Sequence, residues 1–233
     1  MSEHIIKVEN LKKSFKVGNS DLEILKGVSF NIEKGEFVSI MGPSGCGKST
    51  LLYLMGGLDN STSGSVFING IDYSVASEKE RCLLRRRDLG FVFQFYNLVQ
   101  NLTVEENILL PILLDRRKEK EYKQKLDEIL DIIEMSSRRK HKPSELSGGQ
   151  QQRVAIARAL LFEPDIILAD EPIGNLDSKT GSSIMEIFKR INSEYGTTIV
   201  QVTHSEEHAK VGSKILYMKD GQIDKLKQNK IVI

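Results

Sequence analysis

Nine consecutive residues, Gly42-Pro43-Ser44-Gly45-Cys46-Gly47-Lys48-Ser49-Thr50, satisfy the pattern G-x-x-x-x-G-K-[ST] at every fixed position. Glycines at these spacings let backbone N–H groups close around phosphate oxygens, and a helix that follows turns its positive end to the same place. Lys48 is expected to reach the β- and γ-phosphates of a nucleoside triphosphate, and the Ser49 hydroxyl to bind Mg²⁺. A second set, Asp170-Glu171, ends the apolar run Ile166-Ile167-Leu168-Ala169. Open α/β sheets take their ligands at the carboxyl ends of such strands. Asp170 suits a magnesium shell, usually through water, and Glu171 suits a general base that polarises an attacking water. A turn cap before Pro172 is the plainer role for Glu171. The third set is Leu146-Ser147-Gly148-Gly149-Gln150. Ser147 there is a plausible N-cap, and two glycines leave N–H groups bare, which makes a second anion site. One chain with two phosphate sites could hold two phosphates of one ligand, or it could pair with a copy of itself.

These side chains need a frame. Residues 28–32 alternate with period two and residues 37–41 form a short apolar run, so both read as strands. The second feeds the glycine loop and a helix follows over 49–56, the strand–loop–helix context that a phosphate loop requires. Residues 65–69 read as a further strand, closed by the turn signal Asn69-Gly70. From about 103 to 162 the pattern becomes helical, with Leu126, Ile129, Leu130, Ile132 and Ile133 on one apolar stripe. Pro143 breaks that run and a helix is predicted over 149–161. Strand character returns at 166–169, 197–202 and 214–218. The pattern is a parallel α/β core interrupted by an all-helical insert.

At 233 residues the chain can bury one good core and carry one inserted subdomain. With 33 Lys and Arg against 32 Asp and Glu, the net charge of +1 makes no case for nucleic-acid binding. The basic clusters Arg85-Arg86-Arg87 and Arg138-Arg139-Lys140 read as solvated helix ends or as a patch for an anionic partner. No signal peptide is expected at Met1-Ser2-Glu3-His4. The longest apolar run, residues 108–114, contains Pro111 and falls far short of the roughly 20 residues a spanning helix needs. Work at a membrane would require another chain to supply the spans. Cys46 and Cys82 have no metal-ligand or disulfide spacing, which suits a reducing cytosol.

Together the phosphate loop, the Leu146–Gln150 signature and the Asp170-Glu171 strand end resemble the nucleotide-binding subunit of an ABC (ATP-binding cassette) transporter, over essentially the whole chain. The resemblance implies an α/β fold with a P-loop NTPase (RecA-like) core, an N-terminal antiparallel β subdomain and an inserted all-helical subdomain. The core would occupy 1–93 and 164–233 and the insert 94–163, as a single ABC domain. ATP and Mg²⁺ are the implied ligands, with Gly42, Pro43, Ser44, Gly45, Cys46, Gly47, Lys48, Ser49 and Thr50 as the cradle. In that family two cassettes pack head to tail, so Ser147, Gly148, Gly149 and Gln150 would contact γ-phosphate in trans. Gln94, in Phe91-Val92-Phe93-Gln94, resembles the loop glutamine that senses Mg²⁺ and the γ-phosphate. Asp177, in Asn175-Leu176-Asp177, resembles the residue that conveys one site's state to the other across the dimer seam. His204 resembles the switch histidine that bonds γ-phosphate and holds the attacking water. Phe15 stands where the family stacks an aromatic ring, often Tyr, on adenine.

Gly56-Gly57-Leu58-Asp59 and residues 171–177 are similar to the macrolide-exporter, lipoprotein-releasing and antimicrobial-peptide-resistance branch, although Ile173 replaces its usual Thr. That branch implies a permease with a large extracytoplasmic domain, driven mechanically by ATP-dependent closure. The chain would then sit at the cytoplasmic face of the membrane through its permease, and residues 95–102 would line the groove that receives it. The alternatives are a regulatory cell-division-type cassette and a soluble non-transport ABC ATPase. Relatives of the second kind usually carry tandem cassettes, a coiled coil or zinc modules, and none is visible here.

Overall fold

The computed structural model describes residues 4–229. Two long strands, β1 (His4–Val17) and β2 (Ser20–Glu33), form an antiparallel hairpin. β1 also pairs with β4 (Ser63–Ile68), which turns into β5 (Ile71–Asp72), giving a four-stranded sheet in the order β2-β1-β4-β5. The turn between β4 and β5 has Asn69 at φ 49° and Gly70 at φ 77°. Two successive left-handed residues are what a tight two-residue hairpin requires, and Asn-Gly supplies them.

The larger sheet has six strands in the order β10-β9-β3-β8-β7-β6. These are β3 (Phe37–Met41), β6 (Leu89–Phe93), β7 (Ile166–Asp170), β8 (Thr198–Val202), β9 (Lys214–Lys219) and β10 (Gln222–Gln228). The five from β9 to β6 run parallel, and β10 closes one edge antiparallel. Every residue of β3, β7 and β8 is buried, as in a parallel sheet covered on both faces. Alternate residues feed two separate cores. Ile166, Leu168, Val200 and Val202 pack with α1 (Lys48–Met55) and the hairpin sheet, in one cluster with Ile6, Leu25, Leu52 and Met55. Ile167, Ala169 and Ile199 face the other way, into a cluster with Ile108, Ile129, Ile156 and Phe188.

That second core is built by helices. Between β6 and β7 lie α3 (Val104–Leu114), α4 (Lys123–Ile132) and α5 (Gly148–Leu160), so the helical insert interrupts the parallel core as the sequence pattern implies. The predicted stripe of Leu126, Ile129, Leu130, Ile132 and Ile133 is buried throughout. Outside the insert, α2 (Glu78–Arg87), α6 (Ser178–Tyr195) and α7 (Glu206–Ala209) complete the chain. Residues 95–102 are irregular, and the first helix of the insert begins at Val104, close to the predicted start at about 103. They are pinned by fully buried Asn107, whose amide donates to the carbonyls of Val99, Leu102 and Thr103 and accepts from Val99 N–H. Among the described residues no helix is long and apolar enough to cross a membrane.

Candidate active site

Strand order decides which side chains meet. β3, β8 and β7 are neighbours running the same way, so the phosphate loop, Thr203-His204 and Asp170-Glu171 emerge side by side at their carboxyl ends. β6 lies next to β7 with Phe93 opposite Asp170, which brings Gln94 to the same edge.

The loop after β3 exposes Pro43, Ser44 and Gly45 while Cys46, Gly47 and Lys48 are buried. A methyl on Gly42 would stand 2.2 Å from the Met218 carbonyl oxygen, so close approach to β9 demands glycine there. Gly47 packs against Ile24 and Leu25 of β2, so the hairpin that carries Phe15 also braces the loop. Lys48 Nζ donates to the carbonyls of Gly42 and Pro43 at 2.8 and 2.9 Å, which holds the ammonium over the loop. Thr50 is half-buried on the first turn of α1. Phe15 is 42% exposed, with the Lys13 ammonium 4.6 Å from its ring centroid. It presents an aromatic face at the surface, and Lys13 is tied elsewhere by Asp59 at 2.8 Å.

Asp170 is buried at the end of β7 and receives two hydrogen bonds. Ser49 Oγ donates to Oδ1 at 2.9 Å and Tyr53 OH to Oδ2 at 2.6 Å. Burial first, and then Asp170 itself, push the Tyr53 phenol up to about 12. Tyr53 is the residue that motif matching passes over; its signal is its place one helical turn after Ser49. Among the described residues no group of three or more His, Cys, Asp or Glu could hold a metal alone. The donor set of one hydroxyl and one carboxylate fits Mg²⁺, which keeps several waters and takes substrate phosphate oxygens as ligands.

Glu171 follows with φ 44°, a left-handed turn that costs a non-glycine residue free energy and is held by its N–H donating to the Val202 carbonyl at 3.0 Å. The turn swings its carboxylate out of the strand to His204, with Oε2 and Nδ1 3.1 Å apart. Gln94 reaches the same spot from the far side. A methyl on Gly174 would lie 2.9 Å from Gln94 Nε2 and 3.1 Å from Glu171 Oε2, so both side chains converge on that glycine. Gln94 also donates to Asn175 Oδ1 at 3.3 Å. A carboxylate beside a histidine, an amide and a phosphate cradle is an arrangement able to orient water against a phosphoryl group.

The signature stands apart. Ser147 caps α5 by accepting from Gln150 N–H, while Gln150 Oε1 accepts from Ser147 N–H at 2.9 Å, a reciprocal capping box. Its concavity, about 290 Å³, is lined by Ser147, Gly149, Gln150, Glu134, Arg153 and Thr180 among others, and by no residue of the phosphate loop. A methyl on Gly148 would meet the Tyr96 hydroxyl at 2.7 Å. Asp177 caps α6, accepting from the Thr180 hydroxyl at 2.6 Å and from Thr180 N–H, and these bonds hold its carboxyl below the usual range. The structure therefore brings together Lys48, Ser49, Asp170, Glu171, His204 and Gln94, and leaves Ser147, Gly149 and Gln150 in a separate concavity, with Gly148 beside Tyr96.

A family model described as ABC transporter matches residues 25–174. The lipoprotein-releasing system ATP-binding protein LolD of Aquifex aeolicus is 50% identical over 219 residues, 94% of this chain and 96% of that protein. An ABC transporter ATP-binding protein of Methanocaldococcus jannaschii, MJ0796, is 48% identical over 225 residues, 95% of this chain and 96% of its own length. A solved dimeric structure of the MJ0796 cassette, in a post-hydrolysis state with ADP and Pi bound, aligns with a TM-score of 0.89 at 45% identity, covering 97% of this chain and 99% of that one. The chain belongs to the ABC transporter family, as an ATP-binding subunit and an ATPase of that type.

Proposed function

We propose that the chain hydrolyses ATP as one half of a head-to-tail homodimer and so drives a membrane permease of the releasing or exporting kind. The observation that carries this reading is the convergence of Glu171, His204 and Gln94 beside the phosphate loop. Residues 42–50 cradle the phosphates, with Lys48 neutralising the β- and γ-oxygens, and Phe15 offers its ring to the adenine. Ser49 and Asp170 are the protein's side of the magnesium shell, with Gln94 at its edge. Bound Mg²⁺ would neutralise charge that develops on the phosphate oxygens. Glu171 takes a proton from water as its oxygen attacks the γ-phosphorus, and the bond to the bridging oxygen breaks to release ADP. His204 orients that water and the γ-phosphate. Ser147, Gly148, Gly149 and Gln150, with Asp177 at the seam, serve the second copy's nucleotide.

The relatives named as lipoprotein-releasing ATP-binding proteins favour the branch whose permease has a large extracytoplasmic domain. Through that permease the chain is held at the cytoplasmic face of the membrane. The permease is received in a groove of about 490 Å³ between α2, β6, α3 and α5, floored by Phe91, Phe93, Pro111 and Phe162. Residues 95–102, also expected to meet the permease, lie outside this lining; Phe95 is 73% exposed there, while Leu98 is buried in the helical core.

Glu171→Gln tests the proposal. The amide keeps the shape but cannot take a proton, so ATP should bind, turnover should fall by at least about a hundredfold, and the chain should run at dimer mass on gel filtration. A variant that stays monomeric with saturating ATP would overturn the shared-site reading.

A further inference from the structure

Ser49 and Tyr53 are four residues apart on α1, so their side chains share one face of the helix. That face meets the end of β7, and the two hydroxyls take the two oxygens of a single carboxylate: Ser49 Oγ on Asp170 Oδ1 at 2.9 Å, Tyr53 OH on Oδ2 at 2.6 Å. The Tyr53 ring is fixed as well. It lies tilted against Phe93, with centroids 6.5 Å apart, and Phe93 stacks on Phe91 at 5.7 Å with the planes only 8° from parallel. Phe93 is both the register partner of Asp170 and the residue before Gln94. One side chain thus touches the carboxylate at the end of β7 and the base of the Gln94 loop.

The two hydroxyls have different tasks. Ser49 Oγ is the ligand expected to face a cation through an oxygen lone pair, which leaves its O–H able to go on donating to Oδ1. Tyr53, with its ring set against Phe93, takes the other oxygen, Oδ2, and with it the carboxylate's remaining freedom to rotate. We propose that Tyr53 is a positioning residue for the metal side of this site: it holds Asp170 in its cation-facing orientation by bonding the oxygen that Ser49 leaves. The inference rests on the reading of Asp170 and Ser49 as the magnesium shell.

The test compares wild type with Tyr53→Phe in a Glu171→Gln background, titrating a fluorescent ATP analogue with and without Mg²⁺. Phenylalanine keeps the ring on Phe93 and removes only the hydroxyl. The Mg²⁺ concentration that half-saturates nucleotide binding should rise by about tenfold, the scale of one hydrogen bond to a charged group, while binding in EDTA changes less than about twofold. An unchanged Mg²⁺ requirement, or an equal loss with and without Mg²⁺, would overturn the proposal. Asp170→Asn supplies the second measurement: combined with it, Tyr53→Phe should have no further effect, and additive losses would show that Tyr53 does not act through Asp170. If wild type itself shows no Mg²⁺-dependent nucleotide binding, the underlying site assignment fails rather than the role of Tyr53.

Discussion

Gly174 has no left-handed backbone to protect, yet both Gln94 and Glu171 close on the space that a side chain there would fill. A methyl there would force the Gln94 amide, 2.9 Å away, and the Glu171 carboxylate, 3.1 Å away, off the point where they meet. Because both are flexible ends, the fold should survive Gly174→Ala. A misplacement of about 1 Å costs on the order of a hundredfold in rate, so a shift of a few tenths should lower single-turnover hydrolysis by roughly three- to tenfold with ATP affinity little changed. Unchanged hydrolysis would mean the convergence on Gly174 has no part in catalysis. At this scale motif spacing carried most of the information, since Lys48, Asp170 and Glu171 are legible from their neighbours along the chain. Tyr53 was not. Its partner lies 117 positions away, and only the docking of α1 on β7 makes the pair.

Elements were legible where one physical rule acted alone. β3, β7 and β8 are buried on both faces, so short apolar runs announce them. β2 was legible only over 28–32, and β1 not at all, because register shifts around Val8, Leu11 and Lys13 interrupt the alternation. α2 escapes for the opposite reason, having Leu84 as its only buried residue. What ties α2 to the end of α3 is electrostatic. Asp115, at the C-cap of α3 with its side chain 3% exposed, accepts from Arg86 at 2.9 Å, Arg87 at 3.2 Å and Arg117 at 2.8 Å. The Arg86 and Arg117 hydrogen bonds hold the Asp115 carboxyl at about 2, well below its ordinary value. A carboxylate with a depressed folded-state value stabilises the fold above its unfolded value near 4 and loses that contribution as pH falls from there toward 2. Asp115→Ala should therefore lower the unfolding temperature at pH 7 by about 2–8 °C, for a loss of about 1–2 kcal/mol. The difference from wild type should shrink as the buffer is taken below pH 4. A gap that stays constant with pH would mean that packing, not charge, joins α2 to the helical insert.

For the whole molecule, the decisive fact is that the concavity at Ser147, Gly149 and Gln150 shares no lining residue with the phosphate loop. In the proposed arrangement, a chain whose two anion-binding features face separate spaces brings them onto one triphosphate by meeting a second copy, and a two-fold dimer does this twice. Complementation follows from that symmetry. In a Glu171→Gln background, chains carrying Lys48→Ala lack one half of every site, and chains carrying Ser147→Arg lack the other. Neither alone should retain ATP through gel filtration. In a mixed dimer both defects fall in the same site and the other site is whole, so mixing should restore roughly a quarter of the ATP retained by the parent, from random pairing about a two-fold axis. Retention by Ser147→Arg chains on their own would remove the signature from the site. Two defective chains that stay empty when mixed, while still forming dimers, would mean that each chain must complete its own pocket. The mixture separates the two architectures because it asks where the missing half comes from, not whether any single residue matters.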